Sequence, residues 1–141
     1  MPIHGGPKEA AKLLQAMDSE ARAKVLSEME KQNPKMVELI RSYLVSFDDL
    51  RFLTQAMMRD LMRKVEIEKF ALALRGCRPE LIQHVLSLVS VNNRKDMEVI
   101  LHGKPRSIND VQKAQDEILQ VIIPLVEAGT WVLSEEGDKL V

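Results

Sequence analysis

The 141-residue sequence has one cysteine, Cys77, so it holds no internal disulfide framework and suits a reducing compartment. It has no apolar run near the roughly 18 residues that a membrane span needs. The longest apolar block, residues 121–126, is short and contains Pro124. The opening stretch MPIHGGPKEAAK has no apolar signal core. A dominant charge is missing as well: 20 basic and 21 acidic side chains leave a net charge of -1. No basic excess therefore directs the chain to nucleic acid. The pair Gly5-Gly6 lacks the rest of any phosphate-cradling loop. None of His4, His84 and His102 stands at metal-ligand spacing from Cys or Glu, so neither a metal nor a cofactor is expected. Acidic pairs fall on helical faces predicted to be exposed, and no residue suggests catalysis. The expectation is a helical interaction domain rather than an enzyme.

What is present is ordinary for a globular chain: 45% hydrophobic and 29% charged residues. A chain of this length can bury roughly 70% of its unfolded surface, enough for a core without staples. The charge is unevenly spread. Residues 1–69 carry a net +1, residues 75–106 a net +3 and residues 107–141 a net -5. Such poles can pair internally or face a partner.

Periodicity is helical nearly throughout, which predicts an all-α fold. Ala10, Ala11, Leu13, Leu14 and Met17 recur at three- to four-residue spacing after Pro7, a residue accepted in a first turn. Asp18 reads as a cap for a second helix, and Asn33-Pro34 as cap and first residue of a third. Asp48 or Asp49 can cap a helix bearing Leu50 and Leu53. Further helices are expected around Met57–Val65, up to Gly76, from Pro79, from Asn92 or Asn93 to Leu101, and from Ser107 to about Ala128. Pro124 should kink the last one near Gln120. Residues 130–133 are the only strand-like run.

The sequence repeats itself at an offset of sixty. Laying residues 10–40 on 70–100 gives ten identities in thirty-one positions without a gap. They include Ala11/Ala71, Leu14/Leu74, Val25/Val85, Leu26/Leu86, Asn33/Asn93 and Ile40/Ile100. Caps and core positions are among them, so both stretches should form one kind of three-helix unit. Units of this size are armadillo-like, with an apolar face that a neighbour covers. Cys77 reads as a buried small residue rather than a reactive thiol. The methionines, notably Met57, Met58 and Met62, suit core filling more than an adaptable binding surface.

Certain positions go beyond helical periodicity. They are Gly5-Gly6, Asn33-Pro34, Ile40-Arg41, residues 44–50 (LVSFDDL), residues 70–76 (FALALRG) and Pro105-Arg106. Asp110-Val111, Ala114-Gln115, Ile118, Leu125 and Glu127-Ala128-Gly129 continue the series. In order and spacing the sequence resembles the C-terminal part of the FliG family of flagellar motor switch proteins over residues 5–141. The resemblance implies an armadillo unit at 7–43, a hinge at 44–47 and a six-helix torque-type domain at 48–141. The family's ring-binding domain and middle armadillo unit have no counterpart in this sequence, which fits either a fragment or a short homologue.

The resemblance also implies sites. The family's Met-Phe-x-Phe hinge falls on Leu44, Val45, Ser46 and Phe47, with only Phe47 strictly retained. Its stator-facing charges map onto Arg75 and onto the neighbourhood of Arg94, Lys95, Glu98 and Arg106. Asn92, Ser107 and the pair Val99-Ile100 stand where the family has charge. The stacking face is expected at Leu13, Leu14, Val25 and Met29. Implied partners are a stator cytoplasmic loop, other C-ring switch proteins and neighbouring FliG-like subunits in a ring. The implied place is the basal body at the cytoplasmic face of the inner membrane, without membrane insertion. A non-motor adaptor that keeps the fold and has lost torque chemistry stays open beside this reading.

Overall fold

The computed structural model describes residues 6–133. Expectations for His4, Gly5 and residues 134–141 lie outside them. The described residues are helical, with no strand, and the chain divides into two compact units between Val45 and Ser46.

The first unit is α1 (Gly6–Gln15), α2 (Ser19–Gln32) and α3 (Pro34–Tyr43), with α3 packed on both others. The Asp18 carboxylate accepts the Ala21 N–H at 2.8 Å, and the Asn33 side chain accepts that of Met36 at 3.2 Å. Pro34 fills the first turn of α3, where its missing N–H costs nothing. Ala11, Leu14, Leu26, Val37 and Ile40 form the core, flanked by Met17, Val25, Met29, Met36 and Leu44.

The second unit opens with a 3-10 helix, Phe47–Phe52. Its cap is Ser46, and the Asp49 carboxylate accepts the Ser46 N–H at 2.9 Å. The expected capping role of Asp48 or Asp49 thus passes to Ser46, one turn earlier. Then follow α4 (Gln55–Lys64), α5 (Ile67–Leu74), α6 (Pro79–Ser87), α7 (Val91–Leu101) and α8 (Ile108–Glu127). Thr54 caps α4 and Ser107 caps α8. Ser90, rather than Asn92 or Asn93, caps α7, because its hydroxyl accepts the Asn93 N–H at 3.2 Å.

Helix α5 is the spine of this unit and packs on both α7 and α8. Phe70, Ala71, Ala73 and Leu74 of α5 are fully buried. Helix α8 runs to Glu127 through Pro124. Just past its cap at Ala128 comes Gly129, whose φ of +77° is costly for any residue with a Cβ. The strand-like run at 130–133 is no strand. Trp131 folds back, its backbone N–H donating to the Leu125 carbonyl at 3.1 Å and its side chain buried.

The internal repeat is structural. Shifted by sixty, α5, α6 and α7 fall on α1, α2 and α3, and the α1–α3 packing recurs as α5–α7. Ala71, Leu74, Leu86 and Met97 are buried at the positions of Ala11, Leu14, Leu26 and Val37.

Candidate functional site

The charges expected to face a partner lie around α6 and α7, but they do not form a uniform ridge. Arg75 follows the end of α5. Its guanidinium donates to the Lys104 carbonyl at 2.6 Å and the Gly103 carbonyl at 3.3 Å. The charge therefore sits just past the end of α7, where helix carbonyls lack partners. Arg94 behaves alike: its Nε donates to the Leu86 carbonyl near the end of α6 at 3.0 Å. Both arginines staple backbone as well as carrying charge. Arg106 pairs with Asp110 at 3.5 Å, both about half exposed.

Lys95 and Glu98 differ. Both are exposed on α7, and neither forms an ion pair among the described residues. Their helix also exposes Val91 at 62% and Val99 at 72%. A cleft of about 360 Å³ between α6 and α7 is lined by Arg75, Ile82, Leu86, Glu98, Leu101 and His102. The fold brings Arg75 and Glu98 to this one cleft; Lys95, Arg94 and Arg106 do not line it. A second hollow of about 310 Å³ has Met58 and Met62 on its wall with Leu88 and Val89. Met58 is itself fully buried, which supports core filling.

The expected stacking residues do not share a face. Leu14 is 5% exposed and belongs to the first unit's own core, which corrects its placement on an outward face. Leu13 is 75% exposed. Neighbours on a helix point about 100° apart, so only one of the two can face inward. Val25 and Met29 are half-buried at the edge of that core.

The segment 44–47 is held on both sides of the unit boundary. Leu44 packs partly on the first unit's core. Val45 is gripped by Gln15: its N–H donates to Gln15 Oε1 at 2.7 Å, and Gln15 Nε2 donates to its carbonyl at 3.0 Å. Phe47 is buried in the second unit, its ring 6.3 Å from that of Phe70 and tilted. Gln15 is the one buried polar side chain among the described residues, and nothing in the spacing of α1 marks it out.

Other polar groups are structural. The Asp48 carboxylate accepts from Arg51 at 2.6 Å and from Arg78 at 2.9 to 3.1 Å, tying the 3-10 helix to the start of α6. His84 bonds through a ring nitrogen to the Leu53 carbonyl at 2.9 Å. Burial, with a smaller push from Asp48, raises the Cys77 thiol to about 11. A thiol this reluctant to ionise is a poor nucleophile near neutrality. No cluster of three metal-ligating side chains occurs among the described residues. No helix among them is long and apolar enough to cross a membrane.

Comparison with known proteins supplies the rest. The chain is 28% identical to the flagellar motor switch protein FliG of Thermotoga maritima over 140 residues, covering 96% of this chain and 41% of that protein. It is 27% identical to the Aquifex aeolicus FliG over 128 residues, covering 88% of this chain and 38% of the relative. It thus spans about two fifths of the length of the curated relatives it matches. A crystal structure of Helicobacter pylori FliG residues 86–343 superposes with a TM-score of 0.71 at 21% identity, over 92% of this chain and 61% of that one. Full-length Aquifex aeolicus FliG superposes with a TM-score of 0.55 at 26% identity, over 92% and 40%. The model of the FliG C-terminal domain matches residues 27–133, a span that takes in α3, the segment at 44–47 and every helix of the second unit. The chain belongs to the FliG C-terminal domain family.

Proposed function

We propose that the chain is a rotor and switch component of a flagellar motor, working at the basal body on the cytoplasmic side of the inner membrane. The observation that carries this is the family match across both units, together with near-complete coverage of this chain by flagellar motor switch proteins. In this reading the first unit is the armadillo unit, 44–47 is the hinge, and the second unit meets a stator loop and other C-ring switch proteins.

The α6–α7 side of the second unit is the stator-facing surface. Lys95 and Glu98 present open charge there, Arg75 and Arg94 add charge from carbonyl-bound positions, and Arg106 adds it beside α8. Exposed charges steer encounter more than they hold it, so added salt weakens this contact. The test is swimming speed and filament counts in a strain whose chromosomal gene carries Lys95→Glu and Glu98→Lys. Neither residue staples backbone, so the fold survives. Filaments that are present but slowed or paralysed support the reading; normal swimming sinks the stator contact. A non-motor adaptor is favoured by one observation, the 72% exposed Val99 in the stretch onto which the resemblance maps the family's acidic pair.

The stacking face is best placed on α1 around Leu13. Its counterpart Ala73 is covered by α8, whose Gln115 donates to the Ala73 carbonyl at 2.9 Å. Position 13 has no such helix within its own unit, and a neighbouring FliG-like subunit supplies one in a ring. Leu13→Asp should abolish concentration-dependent self-association while leaving the helical content unchanged. Self-association that survives the change overturns this face.

A further inference from the structure

The peptide group joining Val45 to Ser46 is held at both of its polar atoms. Its carbonyl oxygen accepts from Gln15 Nε2 at 3.0 Å, within the first unit. Its N–H donates to the Asp49 carboxylate at 2.9 Å, within the second. Gln15 also takes the Val45 N–H at 2.7 Å, so it holds both ends of that residue. Three backbone groups of an otherwise irregular segment thereby gain partners that water would have to replace. Leu44 and Phe47, on either side, are committed to the cores of their own units. A four-residue hinge would leave several soft dihedrals between the two bodies. Here both polar atoms of the connecting peptide are held, one within each unit.

We propose that Gln15 is the latch of this joint: reorientation of the second unit requires Gln15 to release Val45, and the wild-type chain swivels as two states rather than as a loose tether. The chemistry makes it reversible. A side-chain amide is neutral and carries both a donor NH2 and an acceptor carbonyl, so it can serve the N–H and the C=O of one extended residue at once. Its bonds are partly sheltered, because the Gln15 side chain is buried. Release exposes two backbone groups to water, which replaces the bonds, so the latched and open states differ by a small free energy. The Asp49 bond is exposed and belongs to the cap of the 3-10 helix, so it travels with the second unit.

The proposal rests on reading 44–47 as a hinge, and the test separates the two. Amide exchange at Val45 reports the latch. Spin-label distances between Lys24→Cys and Arg63→Cys, in a Cys77→Ala background, report the hinge. In the wild type the Val45 amide is protected. In Gln15→Ala its protection falls at least tenfold, while Leu26 and Ile40 amides keep theirs and the distance distribution broadens. Gln15→Glu guards against a folding defect. Its ionised carboxylate accepts from the Val45 N–H but cannot donate to the carbonyl, so the label distances broaden at neutral pH. They narrow again below the carboxyl titration, when the acid can donate. An unprotected Val45 in the wild type, or distances in Gln15→Glu that ignore pH while Gln15→Ala broadens them, overturns the latch. Distances that stay single and narrow in every variant, with Val45 protection lost in Gln15→Ala, overturn the hinge reading and leave Gln15 a static clamp.

Discussion

Helices α1–α3 and α5–α7 are the same three-helix plan built twice, and they differ in what lies on the first helix. In the second copy α8 covers α5, and Phe70 and Ala73 are fully buried. In the first copy the equivalent residues are a half-buried Ala10 and a 75% exposed Leu13. The inward positions barely change: Ala11/Ala71, Leu14/Leu74 and Leu26/Leu86 are identical and buried in both. Inward residues therefore set the repeat, and the outward row records whether a neighbouring helix belongs to the same unit. A small residue at position 73 lets α8 approach closely, whereas Leu13 keeps its bulk for a partner.

The comparison can be broken most severely at the shared leucine. Leu74→Ala should destabilise the second unit by about 3–5 kcal/mol, and Leu14→Ala the first by about 2–3 kcal/mol, because the site at Leu14 is less enclosed. Amide exchange in α5 and in α3 reads the two separately. Equal losses would mean that α8 adds little to the second core. Next is the exchanged pair at 13 and 73. Ala73→Leu should cost about 1–3 kcal/mol by pushing against α8. Leu13→Ala should stay within about 0.5 kcal/mol for the isolated chain. Denaturant midpoints check both, and a costly Leu13→Ala would mean that this face is already covered.

Smaller effects sharpen the contrast. Asp18 caps α2 with a side-chain bond, while its counterpart Arg78 makes none at α6. Asp18→Ala should therefore cost about 1 kcal/mol, seen as lost helicity in the first unit alone. The smallest effect is pH-dependent and confined to the second unit. Lys69 and Glu117 pair at 2.8 Å between α5 and α8, chiefly by a hydrogen bond that lowers the Glu117 titration and raises that of Lys69. A lowered carboxylate stabilises above its unfolded value of 4.5 and loses that contribution as pH falls through its folded value. A raised lysine contributes below 10.5 and loses that contribution as pH rises through its folded value. Stability profiles with Glu117→Gln should lack both flanks, while the first unit's profile is unchanged.

Much of this architecture is legible in the residues. Caps at Asp18, Asn33 and Ser107, helix-starting prolines at 34 and 79 and the offset-sixty identities are local signals, and local rules read them correctly. Misreadings arise where several caps compete within one turn, as Ser90 with Asn92 and Asn93, or Ser46 with Asp48 and Asp49. Only the position that leaves the helical path first can cap. The inward orientation of Leu14 escaped because two adjacent leucines both fit an amphipathic stripe. At the candidate site, charge was readable and its commitment was not. Arg75 reaches carbonyls 28 and 29 residues away, and Gln15 reaches Val45 30 residues away, so neither bond leaves a spacing signature.

Trp131, folded against the end of α8, has an optical consequence. It is the only tryptophan in the chain, and Tyr43, about half exposed on α3, is the only tyrosine. Each unit thus carries one natural chromophore of a different kind. Emission excited at the red edge reports the second unit alone, through an indole that shifts to longer wavelength as water reaches it. The tyrosine band, resolved from indole in the second-derivative absorbance spectrum, follows the first, so the melting of the two halves can be followed in one cuvette with no label attached.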